Sequence, residues 1–156
     1  MLIREAVEAD MPRVCALNDV VQKLHAEARP DIYRWPAEAD GRRIILDKAR
    51  VEPAWRLWVA EEQDVLLGYV ATELMEKPET ALRRPHFEGH IHHISIDPAR
   101  HRTGVGRALA SHAVDGLREQ NAKRITVGYW AFNGPSEALF ASLGFRPASI
   151  YAELGC

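Results

Sequence analysis

His90, His92 and His93 are the side chains of this chain best suited to moving a proton, because an unperturbed imidazole titrates near pH 6.5. Alternation along residues 89–96 puts His90, His92, Ile94 and Ile96 on one side of a predicted strand and His93 on the other. Asp97-Pro98 ends that strand, since proline removes a ladder donor and restricts the residue before it. The segment Ala99-Arg100-His101-Arg102-Thr103-Gly104-Val105-Gly106-Arg107 then reads as a glycine-containing turn into a helix start. Successive backbone N–H groups in such a turn form an anion-binding concavity, the helix adds the positive end of its dipole, and Arg100, Arg102 and Arg107 supply charge at the rim. The same residues also make an ordinary strand-to-helix turn. Two nucleotide motifs do not fit: the Gly-Lys-Ser/Thr ending of a P-loop is missing, and Leu109 stands where a dinucleotide fingerprint needs a small residue.

A metal is the competing use of His86, His90, His92 and His93, with Glu88 as a further ligand. Structural zinc needs four ligands and catalytic zinc three, and none of the usual tight spacings is present, so no metal is expected.

Periodicity gives the elements that must position these groups. Residues 1–7 alternate as a short strand. Met11, Val14, Leu17, Val21 and Leu24 form one helical face, with Asp10 as a cap before Pro12. Residues 25–35 read as a loop, and a weaker helix over 37–50 has Ile44 and Ile45 as its apolar points. Runs at 55–60 and 65–75 read as a hairpin, a loop spans 76–87, and the histidine strand occupies 89–96. A helix over 104–120, a strand over 124–129, a helix over 135–143 stopped by Gly144, and a final strand over 148–154 complete the chain. The order β-α-α-β-β-β-α-β-α-β predicts an α/β (α+β) mixed sheet, in one domain spanning 1–156.

Composition narrows the function class. The 156 residues carry 20 Lys+Arg against 22 Asp+Glu, a net charge of -2, which argues against a nucleic-acid binder. The longest apolar stretch, 65–72, is far short of the roughly 20 residues of a membrane span. Arg4, Glu5, Glu8 and Asp10 break up any leader, so a cytoplasmic protein is expected, and Cys15 and Cys156 are read as incidental thiols.

His101-Arg102-Thr103-Gly104-Val105-Gly106 resembles the acyl-CoA signature Arg/Gln-x-x-Gly-x-Gly/Ala of the GNAT family of N-acetyltransferases, departing only at His101. The segment from Asn133 through Ser136, Leu139 and Phe140 to Gly144-Phe145 is similar to that family's Asn-x-x-Ala-x-x-Leu-Tyr-x-x-x-Gly-Phe. The resemblance implies that the fourth and fifth strands splay and that acetyl-CoA lies between them like an added strand. It implies backbone contacts from Ile94, Ser95 and Ile96, a pyrophosphate cradle from Arg102, Thr103, Gly104, Val105, Gly106 and Arg107, and a second wall from Asn133, Ser136 and Phe140. His90 and His92 are similar to the paired histidines of aralkylamine acetyltransferases, which implies that one or both act as general base, directly or through water. A backbone N–H near Ser95 is the implied donor to the carbonyl oxygen.

Two departures matter. Phe140 stands where many members carry a tyrosine, so it has no proton for the departing thiolate. A thiol of pKa near 8.5 is nonetheless a tolerable leaving group, and water, Tyr129 and Tyr151 stay open as alternatives. His101 removes one pyrophosphate contact, with Arg100 and Arg102 beside it. The implied function is acetyl transfer from acetyl-CoA to a primary amine of a small molecule, peptide or protein, and the family also allows a homodimer. A non-catalytic acyl-CoA-binding module is the alternative from another class. The acceptor is expected along 25–53 and 76–87, where Glu27, Asp31, Glu38 and Glu79 with Tyr33 and Trp35 suit a cationic amine with an apolar body; Trp130 and Phe132 line the same cleft or pack beneath it.

Overall fold

The computed structural model describes residues 1–36 and 39–155. Its strands β1 (Leu2–Glu5), β2 (Trp55–Glu62), β3 (Val65–Lys77), β4 (His86–Ile96) and β5 (Ala122–Val127) form one sheet in that order. Helices α1 (Met11–Ala28) and α2 (Ala39–Val51) join β1 to β2, α3 (Val105–Glu119) joins β4 to β5, and α4 (Gly134–Ser142) comes after β5. The first four strands pair antiparallel. Only β4 and β5 are parallel, as a strand–helix–strand crossover requires. The β2–β3 hairpin turns on Gln63 and Asp64, both at positive φ (50° and 61°), the backbone that matches the twist of its strands.

Alternation along the central strands divides the core. Val59 and Tyr69 pack with Met11, Val14, Leu17, Leu46, Trp55 and Leu57 beneath α1 and α2. Their neighbours Ala60 and Val70 pack with Ile91, Val105, Leu109, Leu117 and Phe140 beneath α3 and α4. Asp10 does not cap α1. Its carboxylate instead accepts from the Val7 N–H (2.8 Å) and from the Arg4 guanidinium (2.7 and 3.0 Å), joining the turn before α1 to β1.

Most expected elements form with shifted ends. α1 continues to Ala28, so residues 25–28 are helix where a loop was expected, and β4 begins at His86, which shortens the preceding loop. The expected final strand over 148–154 is not formed: those residues carry no regular structure, and Ile150 and Tyr151 are 89% and 97% exposed. Alternation alone could not supply the neighbouring edge that a strand needs. Glu38 and Cys156 lie outside the described residues, as do the side chains of Ile44 and Ile45.

The departure with most consequence is a bulge in β4. Ala71 pairs with His93 while its neighbour Thr72 pairs with Ile91, so His92 is the extra residue. Side-chain alternation slips there. Ile91, Ile94 and Ile96 pack on the α3 side, whereas Ser95 and, through its partner Ala71, His93 face the α1 side. The single-parity set His90, His92, Ile94 and Ile96 is therefore corrected: the histidines share one face and the isoleucines the other.

β4 is held from behind at Gly68 on β3. A Cβ at Gly68 would lie 2.7 Å from both the Ser95 carbonyl oxygen and Ile96 Cδ1, too close for any real contact. Gly68→Ala is expected to cost about 1–3 kcal/mol of stability by overpacking, read by urea denaturation; an unchanged midpoint would mean that β3 and β4 can separate locally without loss.

Candidate active site

The site is organised by an opening in the sheet. Pairing of β4 with β5 stops at Ile91↔Val127, yet β4 runs on to Ile96, so its last five residues have no strand partner on that edge among the described residues. The Asp97 N–H donates to the Leu67 carbonyl (2.8 Å), which sets the phase of the β3–β4 ladder. In that phase the backbone groups of Ser95 face β3, while those of Ile94 and Ile96 face the opening. Ser95 also turns its hydroxyl away, donating to the Leu17 carbonyl at 2.7 Å.

The glycine turn closes one end of the opening. Asp97 accepts from the Ala99 N–H (2.9 Å) and is paired with Arg13 of α1. Arg102 at φ 60° and Gly104 at φ 91° reverse the chain into α3, whose first intrahelical acceptor is the Gly104 carbonyl, taken by the Ala108 N–H at 3.0 Å. The N–H groups of Val105, Gly106 and Arg107 precede that bond and form the positive end of the helix. A Cβ at Gly104 would meet nothing within 4 Å, and one at Gly106 would make ordinary contacts with Ile96 Cγ1 at 3.5 Å and with Ile96 Cδ1 and Leu139 Cδ2 at 3.8 Å. This open, donor-rich turn beside a free strand edge fits a pyrophosphate with an extended amide-bearing arm.

The other residues expected around the cofactor have varied surroundings. Arg107 reaches Ser142 on α4 (2.9 Å to Oγ), Thr103 donates to the Arg100 carbonyl (2.6 Å), and the His101 ring contacts the Ile96 carbonyl (3.2 Å). Asn133 caps α4 by accepting from the Ser136 N–H (3.2 Å). Phe140 is 1% exposed, stacked on Tyr129 (6.0 Å) and edge-on to Phe145 (5.4 Å), so its ring belongs to the core.

On the α1 face, beside the last β4–β5 pairs, sit the imidazoles. The His90 and His92 rings lie 4.5 Å apart at 73°. His90 Nδ1 is 2.7 Å from Thr126 Oγ1, and His92 Nε2 is 2.8 Å from Glu73 Oε2 while its ring stacks on Trp55 at 4.1 Å. Burial holds His90 below the ordinary histidine value, helped by the charge of His92. His93 is buried further and is pushed down to about 4 by desolvation, with His92, His25 and His90 adding to the shift. Burial also lowers His25. An imidazole held toward its neutral form on a half-buried face, as His90 is, has a ring nitrogen that can accept a proton at neutral pH.

An aromatic group stands at the α1 end. Trp130 donates to the Tyr33 hydroxyl (2.9 Å), Tyr33 lies 5.0 Å from His25, and Phe132 stacks on Trp130 at 6.0 Å. Tyr33 and Trp35 also line an open depression of about 510 Å³ with Ala26, Pro30, Ile32 and Arg34. The acidic residues expected there are otherwise engaged: Glu27 lies 3.8 Å from Lys23, Asp31 pairs with Arg29 (2.7 Å), and Arg29 covers Trp130 at 5.0 Å. Glu79 is exposed beyond β3. Among the described residues no three His, Cys, Asp or Glu side chains gather as a metal site, and Glu88 is held by Arg124 at 3.2 Å. Sequence reasoning missed Glu73, Thr126 and Trp55, whose only signal is cross-strand register.

The chain matches the model of the Acetyltransferase (GNAT) family over residues 18–145. It belongs to that family. Mycothiol acetyltransferase from Segniliparus rotundus is 30% identical over 118 residues, covering 72% of this chain and 43% of that protein. The chain spans less than half the length of the curated relatives it matches. A mutant Bacillus halodurans protein superposes with a TM-score of 0.93 at 23% identity, covering 100% of this chain and 99% of its own. A predicted acetyltransferase from Clostridium acetobutylicum, solved with acetyl-CoA, superposes at 0.73 with 16% identity, over 99% of this chain and 95% of its own. These two likenesses show the fold.

The low value at His93 makes stability depend on pH. The folded imidazole refuses a proton that the unfolded chain takes up below about 6.5, so its contribution is full above that pH and is lost as pH falls toward 4. A loss of about 3 kcal/mol is expected over this interval. Urea denaturation at several pH values should show a shallower decline for His93→Gln than for the parent; parallel declines would mean that His93 is not held neutral.

Proposed function

We propose that this chain is an N-acetyltransferase that passes an acetyl group from acetyl-CoA to a primary amine by direct attack, with both substrates bound together. The observation that carries this reading is the junction of three features: the free β4 edge, the open helix-start turn beside it, and two imidazoles at the point where β4 and β5 part. The N–H groups of Val105, Gly106 and Arg107 hold the pyrophosphate, and the outward backbone groups of Ile94 and Ile96 pair with the pantetheine arm. Acetyl-CoA supplies a thioester carbonyl whose carbon accepts the amine and whose sulfur leaves.

A lysine-like amine, with a pKa near 10.4, is almost wholly protonated at pH 7. His90, His92 or both take its proton. The nitrogen lone pair then forms the C–N bond, the C–S bond breaks with its electron pair on sulfur, and the attacking nitrogen loses a second proton to base or solvent. Phe140 has no proton to give, so protonation of the thiolate falls to water or to Tyr129, which is partly exposed over Phe140. The aromatic group of Tyr33, Trp130 and Phe132 is the surface against which the acceptor's apolar body rests.

Calorimetric titration with acetyl-CoA, with free CoA and adenosine as controls, is expected to give saturable binding near micromolar, about -8 kcal/mol. No binding by folded protein would remove the proposal. Gly104→Val places a β-branched side chain at positive φ and into the open turn, and is expected to weaken that binding at least tenfold. An amine screen read by thiol release separates enzyme from binding module. On the amine so found, the double variant His90→Gln/His92→Gln should lose about two orders of magnitude in turnover while keeping acetyl-CoA affinity; unchanged turnover would remove both as bases.

A further inference from the structure

We propose that Thr126 on β5 is a positioning residue that holds His90 as its Nδ1–H tautomer and so makes Nε2 the nitrogen that accepts the amine proton. This deepens the acetyl-transfer reading and rests on it for the identity of the proton, but the tautomer is a property of the chain alone.

One hydroxyl proton decides the tautomer. His90 and Thr126 are register partners across the parallel β4–β5 ladder, one pair before the strands part. Thr126 Oγ1 lies 2.7 Å from His90 Nδ1 and also donates to the Gly89 carbonyl at 3.3 Å. A hydroxyl has a single proton to give. With that proton on the Gly89 carbonyl, which can only accept, Oγ1 accepts from His90 Nδ1–H and both contacts are satisfied. With the proton directed at Nδ1 instead, the Gly89 contact is forfeited and His90 carries its hydrogen on Nε2, where it can donate but not accept. The first arrangement makes two hydrogen bonds and the second makes one.

The neighbouring ring has one hydrogen placed in the same way. Glu73 is a carboxylate that only accepts, so the 2.8 Å contact puts a hydrogen on His92 Nε2. Two imidazoles 4.5 Å apart thus each have one hydrogen placed by a partner on an adjacent strand. The tautomer matters because His90 is neutral at working pH. Burial and then His92 oppose its protonation most, Glu73 and Glu88 favour it more weakly, and Lys77 opposes it least. His93, next but two along β4, is likewise held neutral by burial.

Long-range proton–nitrogen NMR correlations on protein labelled with nitrogen-15 histidine read the tautomer directly, between pH 6 and 8, without any acceptor substrate. The parent is expected to show His90 protonated at Nδ1 and bare at Nε2. Thr126→Val, which keeps the β-branched shape and removes the hydroxyl, should shift His90 toward Nε2–H, and Thr126→Ser should restore the parent pattern. A parent His90 carrying its proton on Nε2, or a Thr126→Val protein that keeps Nδ1–H, would overturn the proposal. Should the valine variant fail to fold, the parent and serine spectra still decide. With an accepted amine in hand, Thr126→Val should lower kcat about tenfold or more with the KM for acetyl-CoA unchanged, and Thr126→Ser should recover most of it. Failure of acetyl-CoA to bind would end the acetyl-transfer reading and leave the tautomer result standing.

Discussion

The parting of β4 from β5 is the constraint on which the rest depends. A strand that leaves its neighbour exposes backbone donors and acceptors, and a sheet interior tolerates this only where another partner completes the ladder. Here the exposed stretch ends directly at the turn into α3, so the free edge and the helix's positive end share one opening. A long ligand with amides along its arm and phosphates at its end matches both parts at once.

The bulge at His92 is the second half of the same arrangement. Without the extra residue, His90, His92, Ile94 and Ile96 would share a face, and the α3 core would have to bury imidazoles or give up two isoleucines. The slip lets Ile94 and Ile96 complete the apolar packing around Leu109 and Phe140 while the histidines stay on the α1 face. There they meet Glu73, Trp55 and Thr126, none of which is near them in sequence. Half-burial holds the His90 imidazole below its ordinary value, toward the neutral form that the proposed base requires.

Support for the opening comes from both sides. Gly68 lets β3 approach the backbone of β4 at Ser95, and the Ser95 hydroxyl ties that strand to α1 at the Leu17 carbonyl. Arg13, also on α1, reaches Asp97, which in turn holds the start of the glycine loop. The same helix therefore steadies the histidine strand and the glycine turn, and its C-terminal end carries His25 toward Tyr33 and Phe132.

Much of this was determined by local sequence. The order of elements, the helix start at Gly104-Val105-Gly106, the Asn133 cap and the family resemblance depend on residues within a few positions of one another, and short-range sterics and hydrogen bonding settle them. Periodicity could not show the β4 bulge, because a one-residue slip leaves composition untouched and is decided by which core each side chain can fill. Nor could it place a final strand, since strand-like residues 148–154 form a strand only where an edge receives them. Thr126 and Glu73 became visible as partners of His90 and His92 only once the cross-strand register was known. The tertiary structure alone decided which group each imidazole meets, because the hydrogen-bond partner lies 36 residues away for His90 and 19 away for His92.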